Sequence, residues 1–131
     1  MTSRIKILCI GVYFFATLGF THAAQWKIVS KHETEDIYID YSKTKRDKTI
    51  VRSTFLVDYK AIQKIDGIDA WSSLIDSEWD CVEKKVLIHS ATVFREKMAS
   101  GKGVTQNAPY EWRQANRMPL DAMTKAACSS P

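Results

Sequence analysis

The stretch Thr49–Tyr59 alternates between mostly apolar and mostly polar side chains with a period of two. If the segment is extended, one face carries Val51, Ser53, Phe55, Val57 and Tyr59. The opposite face is mostly polar, with Arg52, Thr54 and Asp58. This pattern is typical of an antiparallel strand that has one covered face and one face in water. The sequence therefore predicts an antiparallel sheet with one buried face.

Further strands are predicted on both sides of this segment because β-branched and aromatic residues recur there. The predicted strands are Gln25–Lys31, Ile37–Tyr41, Leu74–Val82 and Lys85–Met98. The last has apolar residues on both faces, which favours a central position in the sheet. The segments Ala61–Ser73 and Ala99–Met118 are interpreted as connections, and Ser42–Lys48 as a polar, basic turn.

One short helix is predicted over Pro119–Ala127. Proline suits the first helical position, and Asp121 lies near the positive helix start. Leu120, Met123 and Ala127 share one apolar face. The predicted fold class is thus α+β: a single antiparallel sheet of about five to six strands with a short C-terminal helix packed on it.

Residues 1–23 have the composition of a secretory signal peptide. Arg4 and Lys6 precede the uncharged apolar run Ile7–Phe20, and Ala23 offers a small residue for cleavage. As a helix this run would span about 21 Å, less than the roughly 30 Å hydrocarbon core of a bilayer. We expect a cleaved signal peptide at 1–23 and an exported domain at 24–131. The alternative is an uncleaved membrane anchor.

The net charge of the chain gives no support for a nucleic acid partner. The chain has a formal charge of +4, and Arg4 and Lys6 lie in the predicted leader, so residues 24–131 carry +2. This balance does not favour a nucleic acid or an anionic membrane as ligand. After residue 23 no stretch is apolar for long enough to predict a transmembrane span.

Cleavage would leave two of the three cysteines, Cys81 and Cys128. In an oxidising compartment an even pair predicts one disulfide, which would join the C-terminal helix to a strand in the middle of the sheet. The alternative is a pair of free thiols for redox or metal chemistry. The chain has no C-x-x-C spacing and no histidine at zinc-ligand spacing.

Three places in the chain carry side chains of the types used in catalysis or metal binding. The run from His32 to Asp36 predicts a solvated hairpin turn, with a metal site as the alternative. Asp76, Glu78 and Asp80 alternate and predict a solvated strand face, with a calcium site as the alternative. His89 is not tied to any nucleophile motif. The sequence predicts neither an enzyme nor a metal site nor a cofactor.

A basic cluster is the one candidate binding surface. Its members are Lys43, Lys45, Arg46 and Lys48, with only Asp47 opposing them. Such a hairpin tip could contact a glycosaminoglycan, lipid headgroups or an acidic partner. The alternative is a solubilising tip that protects the sheet from pairing with other strands.

Several features occur in a fixed order along the chain. They are Trp26, Ile37–Asp40, the strand Val51–Tyr59, Asp80-Cys81, Lys84-Lys85, a strand reaching Phe94, a glycine-containing turn, Trp112, Pro119 and a short helix ending at Cys128. Together they resemble the surface-adhesin protein E family of Gram-negative bacteria. The resemblance implies an antiparallel sheet tied to a C-terminal helix by one disulfide, and binding to host matrix or plasma proteins.

The resulting hypothesis is an exported, non-catalytic binding module of the bacterial envelope, an adhesin for a host extracellular protein or a glycosaminoglycan. The alternative is a periplasmic structural or assembly protein without a host ligand, pairing with itself through a sheet edge as a homodimer. A small hydrolase or inhibitor is a third class. The expected location is the periplasm or the outer cell surface.

Overall fold

The computed structural model describes residues 24–130, so the predicted signal peptide lies outside the described residues. Eight strands and one α-helix follow one another along the chain. They are β1 (Trp26–Lys31), β2 (Glu35–Asp40), β3 (Lys45–Asp47), β4 (Ile50–Ile65), β5 (Ile68–Asp80), β6 (Lys85–Phe94), β7 (Gly103–Asn107), β8 (Trp112–Gln114) and α1 (Leu120–Cys128). Single 3-10 turns occupy Tyr41–Lys43 and Lys97–Ala99.

All strands belong to one antiparallel sheet with the order β1-β2-β4-β5-β6-β7. The two short strands β3 and β8 lie off this path. Strand β3 pairs with β4 beyond the end of β2, and β8 pairs with β6 beyond the end of β7. The predicted combination of an antiparallel sheet and a C-terminal helix is confirmed, but the predicted number of five to six strands is wrong. The difference comes from short strands in Ser42–Lys48 and Ala99–Met118, for which the sequence predicts a turn and a connection.

The segment Ala61–Ser73 is not a connection but the end of a long hairpin. Strand β4 continues to Ile65, and β5 begins at Ile68. The two residues between them, Asp66 and Gly67, have φ angles of 48° and 78°. An Asp-Gly pair is favoured in two-residue hairpin turns because both positions need positive φ. The hairpin therefore extends the sheet beyond its other strands.

One face of the sheet, here called the helix face, is buried under α1. Its buried apolar side chains are Ile37, Ile39, Val51, Phe55, Trp79 and Val86, and Ala115, Met123 and Ala127 pack against them. The rings of Phe55 and Trp79 meet edge to face with centroids 5.3 Å apart. Such an aromatic pair adds about 0.5–1.5 kcal/mol beyond the burial of its area. The alternation of side chains predicted for β4 thus corresponds to residues that lie alternately on the helix face and on the opposite face of the sheet.

The helix is held to the sheet at its C-terminal end. Cys128 forms a disulfide with Cys81, which directly follows β5, and their Cα atoms are 5.7 Å apart. The Tyr41 hydroxyl donates to the carbonyl of Ala126 at 3.4 Å. Within residues 24–130, no helix has the length and hydropathy needed to cross a membrane.

Candidate binding groove

The sheet face opposite the helix, here called the groove face, carries an open groove of about 930 Å³. Its floor is formed by pairs of residues from three neighbouring strands: Arg52 and Thr54 from β4, Leu74 and Asp76 from β5, and Ser90 and Thr92 from β6. These positions alternate with the buried residues of the helix face, which is why the same strands can form a core and a polar floor. The floor is mostly hydroxyl groups and one ion pair.

The ion pair joins Arg52 and Asp76 across β4 and β5. The guanidinium donates from Nε to Oδ1 at 3.2 Å and from Nη2 to Oδ2 at 2.8 Å. The hydrogen bonds that Arg52 donates to Asp76, followed by the negative charge of that carboxylate, raise the pKa of Arg52. A bidentate pair of this kind fixes both side chains in the plane of the carboxylate. The floor therefore carries one positive and one negative charge that compensate each other.

One wall of the groove consists of Gln25, Ser42, Lys43 and Lys45. The wall is organised by Asp40, whose side chain is fully buried. Its Oδ1 accepts hydrogen bonds from the backbone N of Gln25 at 3.1 Å and of Ser42 at 3.0 Å, and from the Ser42 hydroxyl at 2.6 Å. Asp40 thus holds the chain before β1 against the turn that carries Lys43.

The structure divides the predicted basic cluster into three parts. Lys43 and Lys45 are exposed and line the groove. Arg46, in contrast, donates from Nη2 to the carbonyl oxygens of Cys128 at 2.6 Å and Ser130 at 3.1 Å. Lys48 lies in the turn between β3 and β4 with a φ of 56°. The cluster is therefore not one solvated tip, because its segment contains β3 and because Arg46 fastens the chain end after α1.

Strand pairing explains why neighbours in this cluster serve different purposes. Lys45 stands opposite Arg52 and Arg46 opposite Val51. Since Arg52 is on the groove face and Val51 is in the core, Lys45 and Arg46 point to opposite faces of the sheet. A three-residue strand is too short for this alternation to be visible in the sequence.

The acidic residues of β5 lie on the groove face, as their alternation predicted, but each has its own partner. Asp76 binds Arg52. The carboxylate of Glu78 is 3.3 Å from Nε2 of His89. Oδ1 of Asp80 accepts from the backbone N of Val82 at 3.1 Å and of Glu83 at 2.9 Å. Separate partners keep these carboxylates from converging on one ion.

The run from His32 to Asp36 forms the predicted turn between β1 and β2, but its last two residues begin β2. Asp36 pairs with Lys60 at 3.5 Å. Within residues 24–130, no three His, Cys, Asp or Glu side chains are grouped so that they could hold a metal ion. None of the residues from His32 to Asp36 lines the groove, and of the three acidic residues of β5 discussed above only Asp76 does.

Sequence reasoning had missed most of the groove floor. Arg52, Thr54, Ser90 and Thr92 were not singled out as site residues, and Asp76 was considered only for calcium. The available signal was the set of alternate polar positions along each strand. Polar residues at alternate positions on three adjacent central strands must form one polar surface. The groove is lined by hydroxyl groups, by the Arg52–Asp76 ion pair and by the exposed lysines of its wall, which can form hydrogen bonds and ion pairs with a polar ligand.

These features define a small antiparallel-sheet protein with a helix-covered core on one side and an open, polar groove on the other. The sequence profile described as surface-adhesin protein E matches residues 26–129, and the chain belongs to this family. The resemblance inferred from the sequence is confirmed. No curated protein sequence matches this chain.

Two solved structures of Haemophilus influenzae protein E are similar in fold. Crystal form II aligns with a TM-score of 0.54 at 13% identity, covering 82% of this chain and 96% of that chain. The selenomethionine form aligns with a TM-score of 0.52 at 14% identity, covering 82% of this chain and 92% of that chain. At these identities the likeness establishes the fold, and the details of the groove come from this chain alone.

Proposed function

We propose that this chain is an exported, non-catalytic binding module of the bacterial envelope, an adhesin whose groove takes an acidic extracellular ligand. The ligand is a sulfated glycosaminoglycan or an acidic segment of a host matrix or plasma protein. One observation carries this proposal. Lys43 and Lys45 project along a groove in which the arginine of the floor is already neutralised by Asp76.

Charge in the groove supports an anionic ligand. The two lysines make no ion pair with residues 24–130, whereas Arg52 does. Unpaired lysines at an open surface attract anions at long range, and this attraction weakens as salt is added. The hydroxyls of Thr54, Ser90 and Thr92 offer hydrogen bonds to sugar hydroxyls or sulfate oxygens. We therefore expect binding that depends strongly on salt.

Heparin is the probe for this proposal. The affinity of the protein lacking residues 1–23 is measured against the variant Lys43→Glu/Lys45→Glu over a series of salt concentrations. The reversal should weaken heparin binding by about tenfold or more at low salt, equivalent to about 1.4 kcal/mol. It should also flatten the salt dependence, because fewer counterions are exchanged.

The matched control is Lys48→Glu/Lys102→Glu, which makes the same change in net charge at two exposed lysines outside the groove lining. Arg46 stays unchanged in both variants because it bonds to the end of the chain. If both double variants bind heparin equally well, the groove is not the binding site and the proposal is wrong.

The family supports a place at the cell surface. The test of location is fractionation of cells combined with protease added to intact cells. A surface adhesin should be degraded by external protease, whereas a periplasmic protein should be protected until the outer membrane is opened. Protection would favour the second candidate, a periplasmic structural or assembly protein, for which the uncovered strand edge of β7 is the supporting feature.

A further inference from the structure

The groove wall is organised by a buried carboxylate that uses only one of its two oxygens. Asp40, the last residue of β2, is fully buried, and its Oδ1 accepts hydrogen bonds from Gln25 and Ser42. Its Oδ2 is also buried, but among residues 24–130 no group donates to it. No lysine, arginine or histidine of these residues forms an ion pair with the carboxylate either. A buried charge without a partner is costly and requires an explanation.

The segment that reaches this carboxylate is the one that follows the predicted leader. Asp40 pairs with Trp26 at the start of β1, and the backbone N of Gln25 lies 3.1 Å from Oδ1. The backbone N of Ala24 precedes that of Gln25 by three covalent bonds, a separation of about 3–4 Å. Ala24 and Gln25 are both exposed. Rotation about the bonds of one residue therefore suffices to bring the nitrogen of Ala24 to the unused oxygen.

We propose that Asp40 is a binding site for a primary ammonium group, and that its occupant is the α-ammonium of the processed chain. Hydrolysis of the Ala23–Ala24 peptide bond by a signal peptidase consumes one water and yields a carboxylate on Ala23 and an α-ammonium on Ala24. The amide nitrogen of the precursor has one N–H and no charge, whereas the ammonium has three N–H donors and a positive charge. Processing thus supplies the donor that Oδ2 needs and the opposite charge that a buried carboxylate needs.

This ion pair would complete the groove wall only after the leader is removed. Asp40 already holds Gln25 against the turn of Ser42 and Lys43. A bond from an ammonium to the same carboxylate is charge-assisted, and such bonds are shorter and stronger than neutral ones. We therefore expect a firmer wall in the processed protein than in the precursor. Any resulting gain in ligand affinity rests on the proposed function, whereas the ion pair itself does not.

The pH dependence of stability distinguishes this ion pair from its surroundings. The other titratable groups of the strands and the turn next to Asp40 are Lys27, Tyr38, Tyr41, Lys43, Lys45 and Arg52 with its partner Asp76. Side chains of these types ordinarily titrate at about pH 10 or above, or for aspartate at about pH 4, whereas an α-amino group titrates at about pH 8. Pairing with Asp40 raises the pKa of the α-amino group in the folded state. The resulting stability is fully present below the unfolded pKa and is lost as the pH rises through the folded pKa.

Chemical denaturation at pH 7 and pH 9.5 tests the pair by moving the ammonium. One chain begins at Ala24, and the other carries Gly-Ser before Ala24, so that the nitrogen of Ala24 becomes an amide again. The extension should lower the folding equilibrium constant by about tenfold at pH 7. Its effect should be smaller at pH 9.5, where more of the α-amino group is neutral.

The variant Asp40→Asn tests the carboxylate. It keeps an oxygen for the N–H groups of Gln25 and Ser42 but removes the negative charge, so the Gly-Ser extension should have no effect in this variant. Glu33→Gln is the matched control, which removes an exposed carboxylate in the turn between β1 and β2. In the control the extension should cost as much as in the parent. The pairing is refuted if the extension costs equally much in Asp40→Asn and in the parent.

The pKa of the α-amino group is a second readout that requires no variant to fold. NMR titration of the chain that begins at Ala24, labelled with carbon-13 at that residue, gives this pKa in the native state and in urea. The native pKa should be the higher one, and an equal or lower native pKa overturns the proposal.

Processing is tested by the intact mass of the protein recovered from exporting cells. The mass should correspond to a chain that begins at Ala24, and any other first residue overturns the proposal. Heparin is absent from all these experiments, so failure of the ion pair is distinguishable from failure of the proposed ligand.

Discussion

The two faces of this sheet are made by the same strands but differ in almost every physical respect. The helix face is apolar, covered by α1 and closed by a disulfide. The groove on the opposite face is lined mainly by hydroxyls and by an ion pair, and it lies open to solvent. Neighbouring residues in β4, such as Thr54 and Phe55, belong to opposite faces. If the proposed ligand binds in the groove, stability and binding should be separable by moving one position along a strand.

The largest expected effect is a difference in stability between substitutions at two adjacent residues that belong to opposite faces. Phe55→Ala removes a fully buried ring that packs on Trp79, and it should lower the free energy of unfolding by about 3–5 kcal/mol. Thr54→Ala, on the groove floor, should change it by about 0.5 kcal/mol or less. Chemical denaturation measures both. Similar losses in the two variants would contradict the division between a core face and a binding face.

Removing the disulfide tests how much the covalent link between α1 and the sheet contributes to the free energy of unfolding. The double variant Cys81→Ala/Cys128→Ala should lose about 2–4 kcal/mol, because the bridge links residues 47 positions apart and restricts the unfolded chain. Thermal unfolding with and without a reductant is the measurement. At a temperature where the variant remains folded, its heparin affinity should equal that of the parent, since no groove residue has changed. A loss of affinity would show that the two faces are coupled.

The adjacent residues Lys45 and Arg46 provide the sharpest pair for the comparison. Arg46→Ala removes two hydrogen bonds to backbone carbonyls near the end of the chain and should cost about 1 kcal/mol of stability. Lys45→Ala should leave stability within about 0.5 kcal/mol and weaken heparin binding instead. Denaturation and heparin affinity are measured on both variants. The reverse pattern would place the ligand on the other side of β3.

The smallest expected effect concerns Tyr38, on the groove face. Partial burial, followed by the negative charges of Asp36 and Asp58, raises the pKa of its hydroxyl above 10.0. The folded protein thus holds this proton more tightly than the unfolded chain. The stability that results is fully present below pH 10 and is lost as the pH rises through the folded pKa. Tyr38→Phe should lose this part of the alkaline dependence, which denaturation between pH 9 and 11 measures.

The fold was largely predictable, because core positions such as Val51 and Phe55 alternate visibly along the chain. The long hairpin was not predicted, since residues 60–64 are exposed and lack the apolar alternation of a buried strand. The Asp66-Gly67 pair was the signal that could have revealed it.

The groove was harder to predict than the core. Its floor combines residues such as Thr54, Asp76 and Thr92, which are distant in sequence and meet only through the strand register. The different roles of Lys45 and Arg46 were also invisible, because composition reports a charge but not the face to which it points. The sequence does show which alternate positions of each strand are polar, and this becomes informative once the strand order is known.

The hairpin formed by β4 and β5 has a practical consequence. Its turn, at Asp66 and Gly67, extends past both the covered core and the groove, and the strand ends beside it are largely exposed. Exposed loop tips tolerate inserted residues better than other parts of a fold. A short tag for a fluorophore or a surface linker inserted between these two residues would immobilise the molecule in a known orientation, with the groove and both sheet edges left accessible.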